Sequence, residues 1–346
     1  MALGCVRIPR SLAPAGSARK ATRAASRKRG TRVGPSHCSE RATPVHSQEE
    51  APGPPSLAAL NRRGALILVP AASASAAVRP SPLFSSVSLA EEVGASGTGS
   101  GVLVVGSTGN TGRLVVAELV ARGDVRVVAG ARDAEKAEGL GLGASGLGAT
   151  VLGGVDVTKS GAELAAAMRG MRVVVVATGF VPKNPFKMGE AAHEVDNVGV
   201  THVVDAAKLA GVGRVVLISS ILTNGRAMGA ADTAGFRITN AFGGVLDEKL
   251  QGEQYLRSSG VPYTIVRPAG LKNEAPANSL VVCGEDVMTS GEISRALVAK
   301  VMAAAAFDPA CENRVLEIAE EGSFAGDAPS SGRTFALGSD PASWFT

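Results

Sequence analysis

At 346 residues, 45% of them hydrophobic, the chain has room for one large domain or two ordinary ones and enough apolar side chain for a sizeable core. Its formal charge of +4 is unevenly spread: residues 1–47 carry ten Lys or Arg against Glu40 alone, whereas residues from Gly101 onward carry 22 basic and 26 acidic side chains. The folded body is therefore mildly acidic, which argues against a nucleic-acid-binding face. No uninterrupted apolar run approaches the ~20 residues of a membrane span. The four cysteines, Cys5, Cys38, Cys283 and Cys311, show no CxxC or Cys/His spacing, so neither a zinc site nor a disulfide framework is expected.

Residues 1–96 read as a leader. The first part is rich in Arg, Ser and Ala, and 48–96 is low in complexity, with Pro52, Pro54 and Pro55 followed by repeated Ala and Ser. That composition predicts an organelle transit peptide and disordered linker, chloroplast ahead of mitochondrion. A basic arm that stays attached is the competing reading, and Arg62-Arg63 ahead of Ala65–Val69 gives a short twin-arginine-like alternative. A folded domain is expected over 97–321 and a flexible Ser/Gly/Ala-rich tail over 322–346, with Trp344 and Phe345 near its end.

The domain starts on GVLVVGSTGNTG, Gly101–Gly112. Val102–Val105 has the length and branching of a strand buried on both faces, and helical spacing resumes at Arg113. Gly106, Gly109 and Gly112 fall between them at i, i+3 and i+6. This is the strand–turn–helix context in which glycines turn the chain, admit a pyrophosphate and let helix pack on strand. The free N–H groups and positive end of the helix then face the phosphates. Gly106, Thr108, Gly109, Asn110, Thr111, Gly112 and Arg113 are the expected pyrophosphate contacts.

A second strand, Val125–Ala129, ends in Gly130-Ala131-Arg132-Asp133. A small residue followed by a guanidinium favours a 2′-phosphate, hence NADP(H) over NAD(H). In the bland alternative Arg132 is solvated and Asp133 caps the next helix. A glycine-diluted helix over 133–148 leads to a third strand, 150–152, and to Asp156-Val157. There Asp156 either accepts from an adenine amino group while the Val157 backbone meets the ring, or caps a helix over 159–169. The four valines 173–176 form the next strand and open into Ala177-Thr178-Gly179-Phe180, expected beside ribose and nicotinamide. A long helix over 191–210 bears His193, Asp196, Asn197 and His202, and its histidines share no ligand face. A fifth strand, 215–218, closes on Ser219-Ser220. After a polar loop, 222–242, come a helix at 244–259 and a strand at 263–266. Beyond a stretch over 271–290 that is loop-like apart from Leu280 to Cys283, a helix at 292–306 and a strand at 314–318 finish the body. Alternating strand and helix predict an α/β fold, a Rossmann-like doubly wound parallel sheet with a small C-terminal substrate or partner region.

These pieces together resemble the atypical short-chain dehydrogenase/reductase group, in particular its NmrA-like NAD(P)H-binding branch and chloroplast NAD(P)-binding proteins of plants and algae. The stretches carrying the likeness are GSTGNTGRLV (106–115), GARDAEKA (130–137), DVT (156–158), ATGF (177–180), 195–222, 249–273 and 293–301. The resemblance implies a Rossmann core binding NADP(H) in the plastid, in the stroma or peripheral to envelope, thylakoid or plastoglobule. Partners would then be an unidentified small molecule and a plastid protein or membrane surface. It also implies that Pro268, Ala269 and Gly270 close over the nicotinamide and that Lys249 meets a ribose hydroxyl.

One departure bears on chemistry. The group's usual Tyr-x-x-x-Lys pair lets tyrosine pass a proton while hydride moves. Lys249 matches the lysine, but Val245 stands four residues earlier, and valine cannot transfer a proton. Ser219, Ser220 and Lys249 are then the catalytic candidates, with Asn224 and the following loop forming an acceptor pocket. Two functions compete: reduction of a carbonyl or conjugated small molecule without that tyrosine, and a non-catalytic NADP(H)-sensing scaffold.

Overall fold

The computed structural model describes residues 101–181, 187–241 and 243–346. The leader expected over 1–96, with Cys5 and Cys38, lies outside them. Strands β1 (Gly101–Val105), β2 (Arg126–Gly130), β3 (Thr150–Leu152), β4 (Met171–Val176), β5 (Arg214–Ile218) and β6 (Tyr263–Pro268) are joined through helices α1 (Gly112–Arg122), α2 (Ala134–Gly139), α3 (Gly161–Met168), α4 (Met188–Ala192), α5 (Gly199–Ala210), α6 (Ala234–Asn240) and α7 (Val245–Ser258). Then come β7 (Gly270–Lys272), β8 (Leu280–Cys283), β9 (Glu292–Ser294), α8 (Arg295–Ala305), β10 (Arg314–Glu320) and β11 (Arg333–Phe335).

The main sheet runs β11-β8-β10-β6-β5-β4-β1-β2-β3. Its pairings from β3 to β10 are all parallel, and β8 and β11 add an antiparallel edge. The order 3-2-1-4-5-6 within it is that of the doubly wound Rossmann sheet. Period-two alternation divides the core between the two faces. Val102 and Val104 pack with Val115, Leu119, Leu297 and Val301 of α1 and α8. Leu103 and Val105 pack with Leu164, Met168, Val203 and Ala207 of α3 and α5. Each such side chain contributes about 1.5–3 kcal/mol by leaving water.

Four expected elements differ. The helix expected over 191–210 contains a π-helical turn, His193–Val198, between α4 and α5. In the helix expected over 292–306, the first residues form β9, and Ser294 caps α8 by accepting from the Ala296 N–H. The segment expected as a flexible tail is built into the body. There β11 extends the sheet edge, Trp344 and Phe345 are buried in the α1/α8 core, and the Trp344 indole N–H donates to Ser339 Oγ at 2.9 Å. Two terminal aromatics offer enough apolar area to outweigh the polar composition of the residues before them. The loop expected over 222–242 also carries the short helix α6.

Arg267 of β6 is completely buried. Its guanidinium meets Glu253 of α7 at 2.7 Å, Asp286 at 2.7 Å, and Glu285 and Glu317 at 3.3 Å. Burial alone would lower its pKa, but the hydrogen bonds and charges of Glu253 and Asp286 outweigh it and hold the cation more firmly. Glu317 of β10 also accepts the N–H groups of Asp286, Val287 and Met288 at 3.0, 2.9 and 2.6 Å. Burial pushes its carboxyl above the ordinary 4.5, an effect only partly offset by those donors and by Arg267. At the far end of β10, burial likewise works to raise Glu320, but there the donors win. The Ser294 N–H, Lys272 Nζ and the Ala277 N–H draw its carboxyl below 4.5 and tie the small β7–β9 sheet to the main one.

Replacing Arg267 with Met should cost about 3–5 kcal/mol in urea unfolding, because buried carboxylates lose their counter-charge. A carboxyl whose folded pKa is raised is most compatible with the fold when protonated. The Arg267→Met penalty should therefore shrink from pH 7 towards pH 4. For Glu320 the sign reverses: its contribution is present above about 4.5 and lost as pH falls through the depressed folded value. Glu320→Gln should lower stability at pH 7 by about 1–3 kcal/mol and flatten the acid limb of the stability–pH curve.

Candidate functional site

The β1–α1 elbow is set by close backbone approach. Gly106 has φ of +80°, and a Cβ there would stand 2.9 Å from Thr178 Cγ2 and 3.0 Å from the Ala177 carbonyl oxygen. At Gly112 a Cβ would overlap the Gly106 carbonyl oxygen, so the first turn of α1 rests directly on the turn before it. Gly109 is different: it is exposed, and its Cβ would meet only the Gly106 oxygen, at 3.2 Å, as a close neighbour. The turn is closed by the Gly109 N–H donating to Gly106 O at 3.0 Å, and by the Arg113 N–H donating to Gly109 O at 3.1 Å. Among the described residues, the N–H groups of Thr108, Asn110 and Thr111 have no acceptor. They stand at the positive end of the α1 dipole, an arrangement that suits an anion.

Ser107 is a structural residue that the glycine pattern does not single out. It is fully buried, and both its Oγ and its N–H donate to Gly130 O, at 2.9 and 3.2 Å. The elbow is thereby tied to the end of β2. Beyond it Arg132 is exposed and its guanidinium has no partner among the described residues; Arg113 is likewise exposed and unpaired. Asp133 caps α2 by accepting the Lys136 N–H at 3.1 Å, so it makes the cap while Arg132 stays available. The Arg132 carbonyl accepts the Gly154 N–H at 3.2 Å, joining the β2 and β3 loops.

Asp156 does not cap α3. Ser160 holds the N-cap position, where the Glu163 carboxylate accepts from its N–H at 3.1 Å and its hydroxyl at 2.8 Å, and Asp156 lies too far back to take part. Asp156 Oδ1 instead accepts from the Thr158 N–H and hydroxyl at 3.1 and 3.0 Å. Val157 is buried, and its carbonyl lies 3.0 Å from His202 Nδ1 on α5. The Ala177–Phe180 loop leaves β4 beside the elbow, with the Ala177 N–H on Val105 O at 2.9 Å. Thr178 is half-buried and Gly179 exposed.

At the end of β5, the Ser219 N–H continues the parallel ladder onto Val266 O at 2.7 Å. Its side chain is buried, and Ser219 Oγ is the one buried side-chain polar atom among the described residues without a hydrogen-bond partner. Ser220 is half-buried. On α7, Lys249 Nζ pairs with Asp196 Oδ1 at 2.8 Å, a partner that no spacing in the sequence discloses. Val245 is buried in the apolar core. The tyrosines are engaged elsewhere. The Tyr255 hydroxyl donates to Asp205 at 2.7 Å, a bond that with burial and the Asp205 charge raises its pKa, and Tyr263 opens β6 at the opposite end from Pro268. Pro268 is buried at the end of β6, and the N–H groups of Ala269 and Gly270 donate to Ile318 O and Gly291 O. Asn224 is drawn into the buried ionic cluster through Asp286, at 2.7 Å.

Apart from Lys249 on α7, the sequence-predicted residues thus sit at or just beyond the C-terminal ends of parallel strands. The elbow and the Ala177–Thr178 backbone are in direct contact, whereas Arg132 and Asp156 lie on the adjoining β2 and β3 loops. Unpaired peptide donors, a glycine without a Cβ, two unpaired guanidiniums and an orphaned buried hydroxyl fit a phosphorylated dinucleotide. Among the described residues, no group of three or more His, Cys, Asp or Glu is placed to hold a metal, and no helix is long and apolar enough to cross a membrane.

A family model described as NAD(P)H-binding matches residues 106–309. An uncharacterized chloroplast protein of Arabidopsis thaliana is 40% identical over 222 residues, 63% of this chain and 75% of that protein. Protein TIC 62 of the Pisum sativum chloroplast is 34% identical over 224 residues, 60% of this chain and 40% of that protein. Sanguinarine reductase of Eschscholzia californica is 33% identical over 155 residues, 44% of this chain and 54% of that enzyme. Among solved structures, a putative NAD-dependent epimerase/dehydratase from Bacillus halodurans superposes with a TM-score of 0.55 at 25% identity, covering 67% of this chain and 96% of that one. The Rossmann architecture and the chloroplast NAD(P)-binding resemblance are both borne out.

Because a Cβ at Gly112 has nowhere to go, Gly112→Ala should lower stability by about 1–3 kcal/mol. A thermal melt of the variant against the parent checks this.

Proposed function

This chain belongs to the NAD(P)H-binding family, and from that premise we propose that it is a plastid NADP(H)-dependent reductase acting on a carbonyl or conjugated small molecule. The observation that carries the reading is the set of unpaired peptide N–H groups at Thr108, Asn110 and Thr111 beside exposed Gly109. In this reading the elbow from Gly106 to Arg113 holds the pyrophosphate, and Arg132 grips a 2′-phosphate with Arg113 adding charge. Asp156 and Val157 line the adenine, and Ala177, Thr178, Gly179 and Phe180 the ribose and nicotinamide. Lys249 meets a ribose hydroxyl, and Pro268, Ala269 and Gly270 close the far side. The nicotinamide, when bound, supplies hydride-transfer chemistry. Ser219 Oγ, buried and without a partner, is the donor best suited to orient an acceptor oxygen, with Ser220 beside it. The chloroplast relatives and the one named a reductase support both the compartment and the reaction class.

A second reading, an NADP(H)-sensing scaffold, is favoured by one observation: Val245, where the group carries its tyrosine, is packed into the apolar core. Valine has no proton to transfer, so the group's usual donor is missing at that position. NADPH oxidation by the full chain with quinone, flavin and enone acceptors separates the two. The reductase reading expects turnover on at least one acceptor; tight NADPH binding with none supports the scaffold.

Two variants test the nucleotide assignments. Gly109 is exposed and an added Cβ presses only on the Gly106 oxygen, so Gly109→Trp should still fold, with a melting temperature modestly below the parent's, while abolishing NADPH binding in calorimetry. Arg132→Glu should weaken NADPH roughly tenfold and leave NADH affinity nearly unchanged. A parent that prefers NADH would overturn the Arg132 assignment.

A further inference from the structure

The parallel sheet gives the molecule two unlike poles. Nucleotide-site residues collect where the strands end, and the helix-to-strand turns gather at the opposite pole, about 17–20 Å away for strands of this length. Six turns lie there, 123–125, 140–149, 169–170, 211–213, 259–262 and 306–313, and they contain only three acids. Each is already engaged. Asp124 pairs with Arg122 at 3.0 Å, Glu312 pairs with Arg214 at 2.9 Å, and the Asp308 carboxylate accepts the Ala310 N–H at 2.8 Å. Cations are plentiful at the same level. Arg126, Arg172 and Arg314 stand at the first or second residue of β2, β4 and β10, Arg169 follows α3, and Lys208 lies in the last turn of α5. All five are exposed.

Cations at helix C-termini oppose the dipole, which accounts for Arg169 and Lys208. It does not account for three arginines at strand starts, because strands carry little dipole to oppose. From β2 to β10 these positions cross five strand spacings, about 24 Å. Gly101 of β1, lying between β2 and β4, has no Cβ to obstruct the row. The Arg126 guanidinium leans across it to within 3.9 Å of Met171 Sδ, the residue before Arg172. The same pole exposes apolar side chains: Leu140 and Leu147 in the 140–149 turn, and Leu209 beside Lys208, 68% exposed. Guanidiniums take phosphate oxygens in pairs, and leucine gains by entering an apolar layer. Together they complement lipid headgroups above acyl chains, whereas an acidic protein surface would match the arginines alone. We propose that this pole docks the protein on an anionic bilayer surface, with the nucleotide mouth turned away from the lipid. Docking of this kind is independent of the reductase reading, since the two sets of residues lie at opposite poles.

The test is flotation of the full chain with phosphatidylcholine vesicles, either pure or mixed equally with phosphatidylglycerol. The parent should float with the mixed vesicles only and be released at about 0.5 M salt. Arg126→Gln/Arg169→Gln/Arg314→Gln should weaken that binding about a hundredfold while keeping the parental melting temperature and NADPH affinity. Removing as many charges at the other pole, in Arg113→Gln/Arg132→Gln/Arg237→Gln, should leave vesicle binding unchanged. Leu147→Ser/Leu209→Ser should weaken it about tenfold. In amide hydrogen exchange, mixed vesicles should slow 123–125, 169–170 and 211–213 and not the elbow at 106–113. A parent that ignores the mixed vesicles overturns the assignment, as does one that binds pure phosphatidylcholine equally well. Equal losses in the two triple variants would assign the binding to overall charge, and no loss in the first would assign it to the basic residues ahead of Gly101. Either result overturns this pole as the docking surface. So does capture by poly-glutamate without vesicle binding, which would indicate an acidic protein instead. Should the first triple variant fail to fold, the exchange pattern of the parent decides: no slowing in the three turns overturns the assignment.

Discussion

The buried Arg267 guanidinium is the constraint on which the segments around α7, β6 and β10 depend. It draws α7, the loop at 285–288 and β10 onto one cation through Glu253, Asp286, Glu285 and Glu317. The segment leaving β5 is attached to the same cluster at second hand, with the Thr223 hydroxyl on Glu253 at 3.3 Å and Asn224 on Asp286. Leu222 and Asp286 both adopt positive φ, 66° and 61°, without being glycine. Such backbone persists only where its surroundings over-determine it, and the ionic cluster is what does so. The loop that follows Ser219 is therefore held from beneath by charge, and the candidate acceptor side inherits its shape from that hub.

On the nucleotide side the governing interactions are steric. Gly106 and Gly112 are pressed against backbone, and Ser107 sews the turn to β2. Of the three, Gly109 is the exposed one, with the Gly106 oxygen as its close neighbour. This division explains why three glycines in one motif carry different duties: two permit the elbow to exist, and one keeps its mouth clear. The two halves meet at the π turn, where Asp196 bridges the β4 loop and α7. An element with an inserted residue is suited to that place, since the extra residue rotates one carboxylate inward while the helix continues on either side.

Local chemistry determined much of this protein by itself. The buried valine-rich strands, the i, i+3, i+6 glycines and the alternation of strand and helix leave a parallel doubly wound sheet as the economical arrangement, because each signal is written within a few consecutive residues. For the same reason Gly106 to Arg113, Arg132 and the Ala177–Phe180 loop could be placed at strand ends without coordinates. What only the tertiary structure decided involves partners far apart in the chain or competition between near neighbours. Ser160, held by the Glu163 carboxylate, takes the N-cap position of α3 instead of Asp156. The polar C-terminal residues are ordered because Trp344 and Phe345 find an apolar surface on α8 that no local pattern announces. Lys249 is bound by Asp196, Asn224 by Asp286, and Ser219 Oγ has no hydrogen-bond partner among the described residues. Pairings of that kind follow from how the sheet brings distant segments together, and a linear sequence does not record the distance between them.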